Sequence, residues 1–321
     1  MSRVTQRPRL IIIVGPTCAG KTELALKIAQ AWGWEIIGAD SLQVYRYMDI
    51  GTAKPGKDVI AIVPHHLIDV VAPDEPFNAA MYAGLARKII ESAEGQAKTF
   101  LVVGGAGLYI KALLGGIFAG PPADEGIREY YLERLRRFGK SYLYEQLKEK
   151  DVKAAAAIDP RHTSRIIRAL EVWELSGKSI VEQQQEHRFG DRPYDYIKIG
   201  LKMARDRLWE KIERRTEGMI RQGLVDEVKW LLKHGYHEGL KSMQSLGYRH
   251  VVQHLQGDLR IEEAVSLINR DTKQYAKRQM TWFAADSEVE WYDFSDAASI
   301  EERIKYLTSS SSLEGESIAT G

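Results

Sequence analysis

The segment IIIVGPTCAGKTEL, residues 11–24, constrains the fold of this chain more than any other. An apolar run that predicts a strand leads into a glycine-rich turn, and the turn leads into a predicted helix. The turn has the G-x-x-x-x-G-K-T spacing of a phosphate loop, in which backbone N–H groups and a lysine hold phosphate oxygens. The sequence therefore predicts a site for a chain of phosphates, formed by Gly15, Pro16, Thr17, Cys18, Ala19, Gly20, Lys21 and Thr22.

Two side chains of this loop bear on its chemistry. The hydroxyl of Thr22 occupies the position from which a phosphate loop ligates Mg²⁺, so we expect magnesium as a cofactor there. A thiol nucleophile at Cys18 would need a basic partner, and the sequence places no histidine nearby. We therefore interpret Cys18 as a small residue that the turn tolerates.

Apolar runs at residues 10–14, 35–39 and 99–103 predict strands. The chain between them predicts helices at residues 22–32 and 78–94, the second with Asn78 as its N-cap. Strands that alternate with helices form a parallel sheet with helices on both faces. We expect an α/β fold of the P-loop NTPase type.

Residues 124–188 have helical patterns and lack strand signals, with helical segments at 125–139, 141–158 and 159–180, whereas residues 194–203 alternate again as a strand does. Long helices are then predicted at residues 204–223 and 261–284. The serine-rich end of the chain has the composition of a disordered segment. We predict a discontinuous α/β core, an all-helical insertion domain and a disordered tail, over residues 1–120 with 195–307, 121–194 and 308–321, respectively.

Composition limits the class of protein. One cysteine among 321 residues excludes an intrachain disulfide, and the eight histidines lack zinc-site spacing. No apolar segment approaches the roughly 18 residues that span a bilayer. We expect a soluble cytoplasmic protein, with a monomer as the default. The net charge of +1 conceals a basic stretch, because residues 201–285 carry 16 Lys and Arg against 11 Asp and Glu, and an acidic end follows.

The loop alone leaves open what the phosphates belong to. The strand at 99–103 runs into glycines rather than an acid, and the chain lacks the Asn-Lys-x-Asp motif of guanine-binding proteins. The acid appears instead at Asp40, which ends the second predicted strand and should face the same cleft as the loop. From the residues alone, Asp40 fits a magnesium ligand, an acceptor-binding group or a cap of the following turn.

Seven segments occur in a fixed order along the chain: GPTCAGKT, DSLQVYRYMDIGTAKP, HHLIDV, GGAGLYI, DPRHTSRIIRALEV, SLGYRH and KRQMTWF. Together they resemble the tRNA dimethylallyltransferases, and the resemblance extends from Gly15 to Phe283. It implies that the loop holds the diphosphate of dimethylallyl diphosphate. The five-carbon group then passes to the exocyclic amine of the adenosine 3′ of the anticodon in tRNA, and diphosphate is released.

The resemblance also implies catalytic roles. Asp40 is the expected general base, the Thr17 hydroxyl should bond the bridging oxygen, and Arg215 should contact the diphosphate, with Arg214 a neighbouring candidate. Arg207, Lys211, Arg214 and Arg215 share one face of a predicted helix. Without the resemblance, this stripe fits equally well an exposed face paired with nearby glutamates.

A base inside a folded RNA loop must leave its stack before it enters a cleft. Ser41 and Gln43 are suited to reading an adenine edge through hydrogen bonds. Where the family has a threonine in its Gly-Gly-Thr-Gly block, this chain has Ala106, which removes a hydrogen bond worth about 1 kcal/mol. The implied tRNA contacts are Asp40, Ser41, Leu42, Gln43, Ala106, Arg161, His162, Thr163, Ser164, Arg165, Gln244, Ser245, Leu246, Gly247, Tyr248, Arg249, Lys277 and Arg278.

Other functions share part of this pattern. An isopentenyltransferase acting on free adenine nucleotide needs the loop and Asp40 but neither the insertion nor the later basic segments. A P-loop small-molecule kinase would bind ATP in the same loop. A tRNA-binding protein without catalysis would not need Asp40, Lys21 and Thr22. His65, His66 and Asp69 form a metal-like cluster, for which we favour a structural role in a turn.

Overall fold

The structure is a computed structural model that describes residues 9–93, 98–116, 120–187 and 193–313, with the backbone alone for residue 187 and residues 307–313. The predicted end of the helix at residue 94 lies outside the described residues.

Six parallel strands form one sheet in the order β3-β2-β4-β1-β5-β6. Their bounds are β1 Arg9–Val14, β2 Glu35–Ala39, β3 His65–His66, β4 Thr99–Gly104, β5 Asp195–Lys202 and β6 Val289–Asp293. The predicted strands are confirmed. Both β3 and β6 lie at the edges of the sheet and were not predicted, because neither has the long apolar run of a central strand.

The described residues form thirteen helices. They are α1 Lys21–Trp32, α2 Lys57–Ile62, α3 Ala79–Glu91, α4 Gly107–Gly115, α5 Glu125–Lys150, α6 Val152–Ala157, α7 Thr163–Ser176, α8 Ile180–His187, α9 Arg205–Arg221, α10 Leu224–Lys233, α11 Tyr248–Leu255, α12 Ile261–Ala284 and α13 Ala297–Leu313. Asn78 caps α3 as predicted, since its side chain accepts the N–H groups of Ala80 and Met81.

The central strands are apolar on both faces because helices cover both sides of a parallel sheet. Every residue from Leu10 to Val14 is fully buried. On one face, Ile11 and Ile13 belong to a cluster with Ile28 of α1 and Ile304 of α13. This packing fixes the sheet on which the phosphate loop stands.

Parallel register brings three loops to one edge of the sheet. Ile13 pairs with Val103, and Ala39 pairs with Gly104, so β1, β2 and β4 end side by side. A Cβ at Gly104 would stand 1.9 Å from the Ala39 carbonyl oxygen, so only glycine fits where the ends of β2 and β4 pair. The loops that follow these strands carry Gly15, Asp40 and Gly105.

The chain divides into two compact units, one within Met1–Leu113 and Pro193–Gly321 and the other within Leu114–Arg192. The second unit is helical and has its own core, which includes Tyr131, Leu147 and Leu170. Its fully buried Glu171 is paired with Arg128 at 2.9 Å and Arg168 at 2.7 Å. Removing either arginine would leave a poorly compensated buried charge.

The structure also differs from the expected helices. Residues 141–158 were expected to be one continuous helix, but Asp151 ends α5 and caps α6 by accepting the Ala154 N–H. Helix α13 continues to Leu313, which places residues 308–313 of the segment expected to be disordered in a helix anchored by the buried Ile300 and Ile304. Residues 314–321 lie outside the described residues. Within the described part, no helix combines the length and apolar character needed to cross a membrane.

Candidate active site

The phosphate loop joins β1 to α1 and depends on glycine at both ends. Gly15 and Gly20 have φ of 136° and 93°, in the region that side chains rarely adopt. A Cβ at Gly15 would stand 2.5 Å from the Leu201 carbonyl oxygen, and one at Gly20 would stand 2.0 Å from the Phe294 ring. The loop therefore keeps its shape only with glycine at these positions.

Lys21 lies inside the loop. Its Nζ donates to the carbonyl oxygens of Gly15 at 2.9 Å and Pro16 at 2.7 Å. Burial lowers the pKa of Lys21 to about 8, while the negative charge of Asp40 opposes the shift and the positive charge of Arg215 adds to it. The electrostatic neighbours of Lys21 thus include Asp40 and Arg215, the two charged residues of the predicted catalytic set.

Arg215 of α9 reaches the loop. Its Nη1 donates to the Thr17 hydroxyl oxygen at 2.8 Å and lies 3.7 Å from the Cys18 sulfur. Arg214 instead pairs with Glu210 at 2.8 Å, and its side chain is 74% exposed. The structure therefore brings Arg215, and not Arg214, to the predicted diphosphate site.

Asp40 begins the loop after β2. Its Oδ1 accepts the backbone N–H of Leu42 at 2.9 Å and of Gln43 at 3.4 Å, so the carboxylate does cap the following turn. Its charge also acts on Tyr275: burial first, and Asp40 next, raise the pKa of Tyr275 to about 12. The turn fixes the carboxylate in the cleft, so the cap and an active-site role are compatible.

Two neighbours of Asp40 were also predicted to contact tRNA. The Nε2 of Gln43 donates to the carbonyl oxygens of Thr52 at 3.2 Å and Ala53 at 3.3 Å. These contacts engage the amide nitrogen, so Gln43 would offer a base its acceptor oxygen. Ser41 and Leu42 lie in the same turn and are half-buried. Ala106 is held beside β2, because its N–H donates to the Ala39 carbonyl at 3.1 Å.

The predicted site residues did not include Gln279 of α12, although it lies within the segment KRQMTWF. Its Oε1 accepts the Thr17 N–H at 2.8 Å, its Nε2 donates to the Gly105 carbonyl at 3.1 Å, and the residue is 6% exposed. A polar residue within the buried stripe of a helix was the available signal, because Ala276 and Phe283 flank it at helical spacing.

The predicted segment from Gln244 to Arg249 leads into α11. Tyr248 is buried and donates its hydroxyl to Glu227 at 2.6 Å, while Arg249 pairs with Asp271. Gln244 is exposed, Ser245 and Leu246 are half-buried, and Gly247 has a φ of 90°. This segment belongs to the same unit as the phosphate loop.

Glu227 of α10 is a second residue that sequence reasoning missed. Its carboxylate accepts the N–H groups of Asp49 at 2.9 Å, Ile50 at 2.7 Å and Gly51 at 3.2 Å, in addition to the Tyr248 hydroxyl. One side chain thereby joins the loop that follows Asp40 to the start of α11. Nothing in the spacing of GLVDEV distinguishes Glu227 from a solvated helix residue.

The remaining predicted residues lie on exposed faces. Lys277 and Arg278 of α12 are exposed, with Lys277 Nζ 5.8 Å from the centre of the Trp209 ring. In the helical unit, Arg161 pairs with Asp159 at 2.6 Å and its side chain is 86% exposed. His162 stands at the N-cap of α7, and Thr163, Ser164 and Arg165 form its first turn. The structure thus places residues 161–165 in a different unit from the phosphate loop.

The protein oxygen atoms near the phosphate loop fit a Mg²⁺ ion that is held mainly by the oxygens of a bound substrate. Thr22 is exposed in the first turn of α1, next to Lys21. The described residues contain no group of three His, Cys, Asp or Glu that could hold a metal by themselves. Mg²⁺ commonly takes one or two protein ligands together with phosphate oxygens, which matches a single hydroxyl beside a diphosphate. His66 pairs with Glu35 at 2.7 Å, in keeping with a structural role for that cluster.

A parallel sheet whose first strand ends in such a loop and helix defines a phosphate-loop protein of the α/β class. The family model described as IPP transferase matches residues 43–286, and one described as isopentenyl transferase matches residues 8–69. The chain therefore belongs to the IPP transferase family, which confirms the resemblance and the expected fold.

Curated relatives and solved structures agree with this membership. A tRNA dimethylallyltransferase 2 of Syntrophus aciditrophicus is 56% identical over 91% of this chain and 94% of its own length. A crystal structure of a tRNA isopentenylpyrophosphate transferase of Bacillus halodurans has a TM-score of 0.71 at 37% identity, covering 96% of this chain and all of that one. A eukaryotic dimethylallyltransferase solved acting on tRNA has a TM-score of 0.74 at 23% identity and speaks for the fold alone.

Proposed function

We propose that this protein is a tRNA dimethylallyltransferase. It transfers the dimethylallyl group of dimethylallyl diphosphate to the exocyclic amine of the adenosine 3′ of the anticodon, and releases diphosphate. The observation that carries the proposal is the convergence of Arg215 and Gln279 on Thr17 within a phosphate loop whose lysine is an electrostatic neighbour of Asp40. The names of the relatives support the choice of donor and acceptor.

On the donor side, negative charge grows on the bridging oxygen as the bond to carbon breaks. The Thr17 hydroxyl donates to that oxygen, while Arg215, Lys21 and the loop N–H groups bind the other diphosphate oxygens. Groups already held in place stabilise this charge without reorganisation during the reaction. Thr22 would hold Mg²⁺ through its hydroxyl, and the ion would supply further positive charge to the diphosphate.

On the acceptor side, the adenine amine is a weak nucleophile because its lone pair is delocalised into the ring. Its nitrogen forms a bond to the terminal allylic carbon while the carbon–oxygen bond to diphosphate breaks. The amine proton passes to the Asp40 carboxylate, and general base assistance of this kind contributes roughly 10²–10⁴ in rate. Gln43 can accept a hydrogen bond from the 6-amino group of adenine, and since guanine has a carbonyl oxygen at that position, the contact favours adenine.

The acceptor is a whole tRNA rather than a nucleotide. Exposed cations suited to phosphate contacts are present at Lys277, Arg278, Arg161 and Arg165. Arg161 and Arg165 lie in the helical unit, which a small acceptor would not need. A tRNA substrate, together with the single cysteine, favours the cytoplasm as the compartment. We expect the protein to act as a monomer.

The test is transfer of labelled dimethylallyl groups. The protein is incubated with Mg²⁺, labelled dimethylallyl diphosphate and unmodified tRNA that has adenosine 3′ of its anticodon, with AMP as the acceptor in parallel. The matched variant is Asp40→Asn, which keeps an acceptor for the Leu42 N–H but removes the base. We expect label in wild-type tRNA, and a rate lower by about 10²–10⁴ with Asp40→Asn.

Each other result rejects part of the proposal. Label in AMP but not in tRNA would assign the protein to the nucleotide-prenylating class. ATP-dependent phosphorylation of a small acceptor, without any prenyl transfer, would assign it to the kinases. An Asp40→Asn rate within about threefold of wild type would remove Asp40 as the base while leaving the activity in place.

A further inference from the structure

Gln279 uses both ends of its amide to join two loops. Its oxygen takes the N–H of Thr17 in the phosphate loop, and its nitrogen gives a hydrogen bond to Gly105 in the glycine-rich loop after β4, called here the glycine loop (residues 104–107). The residue stands on α12, remote in sequence from both. Because the amide is almost fully buried, loss of either bond would leave a buried polar group without its partner.

The space around the amide is matched to it. A Cβ at Gly105 would stand 1.9 Å from the Gln279 nitrogen. The glycine loop therefore has no room for a side chain at residue 105 while the amide is present. One turn earlier on α12 stands Tyr275, whose pKa is raised by burial first and by the charge of Asp40 next. The amide therefore lies between the donor's loop and the residues around the proposed base.

The bond to Thr17 can affect the reacting atoms through the Thr17 hydroxyl. The backbone of Thr17 is fixed by Gln279, and its hydroxyl is fixed by Arg215 at 2.8 Å. Two side chains from different helices thus determine where the Thr17 hydroxyl points. A displacement of about 1 Å in a group that orients reactants can lower a rate by about 10².

We propose that Gln279 is a positioning residue of the transfer reaction, which sets the distance between the phosphate loop and the glycine loop and so aligns the allylic diphosphate with the base entering beside Asp40. This inference rests on the proposed function. It assigns Gln279 no contact with either substrate; it acts through Thr17 and Gly105. Its loss should therefore slow the chemical step more than it weakens tRNA binding.

The first variant is Gln279→Met, which keeps the side-chain length and removes both hydrogen bonds. We expect kcat to fall by at least about tenfold, with KM for tRNA changed by less than about threefold. The matched control is Thr272→Val, also buried on α12, whose hydroxyl bonds within its own helix to the Ile268 carbonyl. It should stay within about twofold of wild type while losing comparable thermal stability.

The second variant is Gly105→Ala, alone and combined with Gln279→Ala. The added methyl collides with the amide, so Gly105→Ala alone should lower kcat as Gln279→Met does. With the amide removed, the methyl has room, and the double variant should lose far less than the product of the two single losses. The positioning role would be overturned if the kcat loss of the double variant equalled the product of the two single losses. It would also be overturned if the kcat of Gln279→Met stayed within about twofold of wild type. Wild-type protein without any transfer would overturn the proposed function, and this inference with it.

Discussion

Arg214 and Arg215 are adjacent in sequence but lie in different surroundings. Arg215 donates to the Thr17 hydroxyl, whereas Arg214 pairs with Glu210 at the surface. A surface pair of this kind contributes little, while a charged hydrogen bond at a site contributes about 1.5–3 kcal/mol. The two residues therefore form a matched pair for mutation.

We predict that Arg215→Ala lowers kcat/KM for dimethylallyl diphosphate by about 10- to 100-fold, because a charged hydrogen bond of that strength is lost. Arg214→Ala should remain within about twofold of wild type. Steady-state transfer rates at saturating tRNA measure both. Equal losses in the two variants would contradict a specific contact by Arg215 and favour a general contribution of the basic face.

If Lys21 binds the donor as proposed, donor binding should depend on pH. Burial lowers its pKa to about 8, so in the free protein the ammonium loses its charge as the pH rises above that value. The last proton of a phosphate group leaves near pH 6, so the donor's charge is constant above about pH 7.5. We predict that affinity for dimethylallyl diphosphate falls as the pH rises from about 8 to about 9.5.

Calorimetric titration across that range measures the effect. Lys21→Arg is the control, because arginine stays charged at these pH values. The variant should bind more weakly near pH 7 but without the fall above pH 8. The same fall in both proteins would show that another group is responsible.

At the residue scale, the sequence predicted the types of residue in the site better than their partners. The phosphate loop was predictable because its backbone shape requires glycine and lysine at fixed spacing. The residues alone did not separate Arg214 from Arg215, since both lie on the basic face, and the preference for Arg215 came from the family resemblance. Gln279 lies in the segment KRQMTWF, but its bonds, like those of Glu227, are to backbone groups distant in the chain, and local sequence does not reveal them.

Among the elements, the loop after β2 is held by α10 rather than by the sheet. Glu227 accepts three consecutive N–H groups of that loop and the Tyr248 hydroxyl at the start of α11. A Cβ at Gly51 would stand 2.5 Å from the Tyr248 ring, so loop and helix are in close contact there. The carboxylate thus positions two segments proposed to contact tRNA.

We predict that Glu227→Gln raises KM for tRNA by about 5- to 20-fold, because an amide offers one acceptor oxygen where the carboxylate offers two. The dissociation constant for dimethylallyl diphosphate should change by less than twofold, since the phosphate loop is not among its contacts. Tyr248→Phe, which removes one of the four hydrogen bonds, should have a smaller effect in the same direction. An increase in the donor's dissociation constant equal to that for tRNA would indicate general loss of structure instead.

Predictability also differed between elements. The central strands and the long helices α9 and α12 were predicted because burial on both faces, or on one helical face, imposes a clear pattern. The sequence did not predict edge strand β6 or the extension of α13 to Leu313. Their ordering depends on neighbours, namely β5 for the strand and the sheet for Ile300 and Ile304.

At the scale of the whole molecule, the two substrates differ in how much of the chain they need. The residues proposed to bind the donor all lie in the unit that contains the sheet, whereas residues 161–165 lie in the helical unit. Phosphate contacts supply much of the affinity for nucleic acid and make it sensitive to salt. The contribution of the helical unit should therefore appear in tRNA binding and its salt dependence, and not in donor binding.

We predict that Arg161→Ala with Arg165→Ala weakens tRNA binding at moderate salt and reduces the slope of log K against log salt concentration by about 1.4–1.8, the value for two phosphate contacts. Arg161 pairs with Asp159 in the free protein, and since that pair is exposed, exchanging it for a phosphate costs little. Binding curves for an anticodon stem-loop at several salt concentrations measure the slope, with dimethylallyl diphosphate affinity as the internal control. Arg134→Ala with Arg136→Ala removes the same charge elsewhere in the unit. If that variant reduced the slope equally, the net charge of the helical unit, rather than contacts at residues 161–165, would account for the binding.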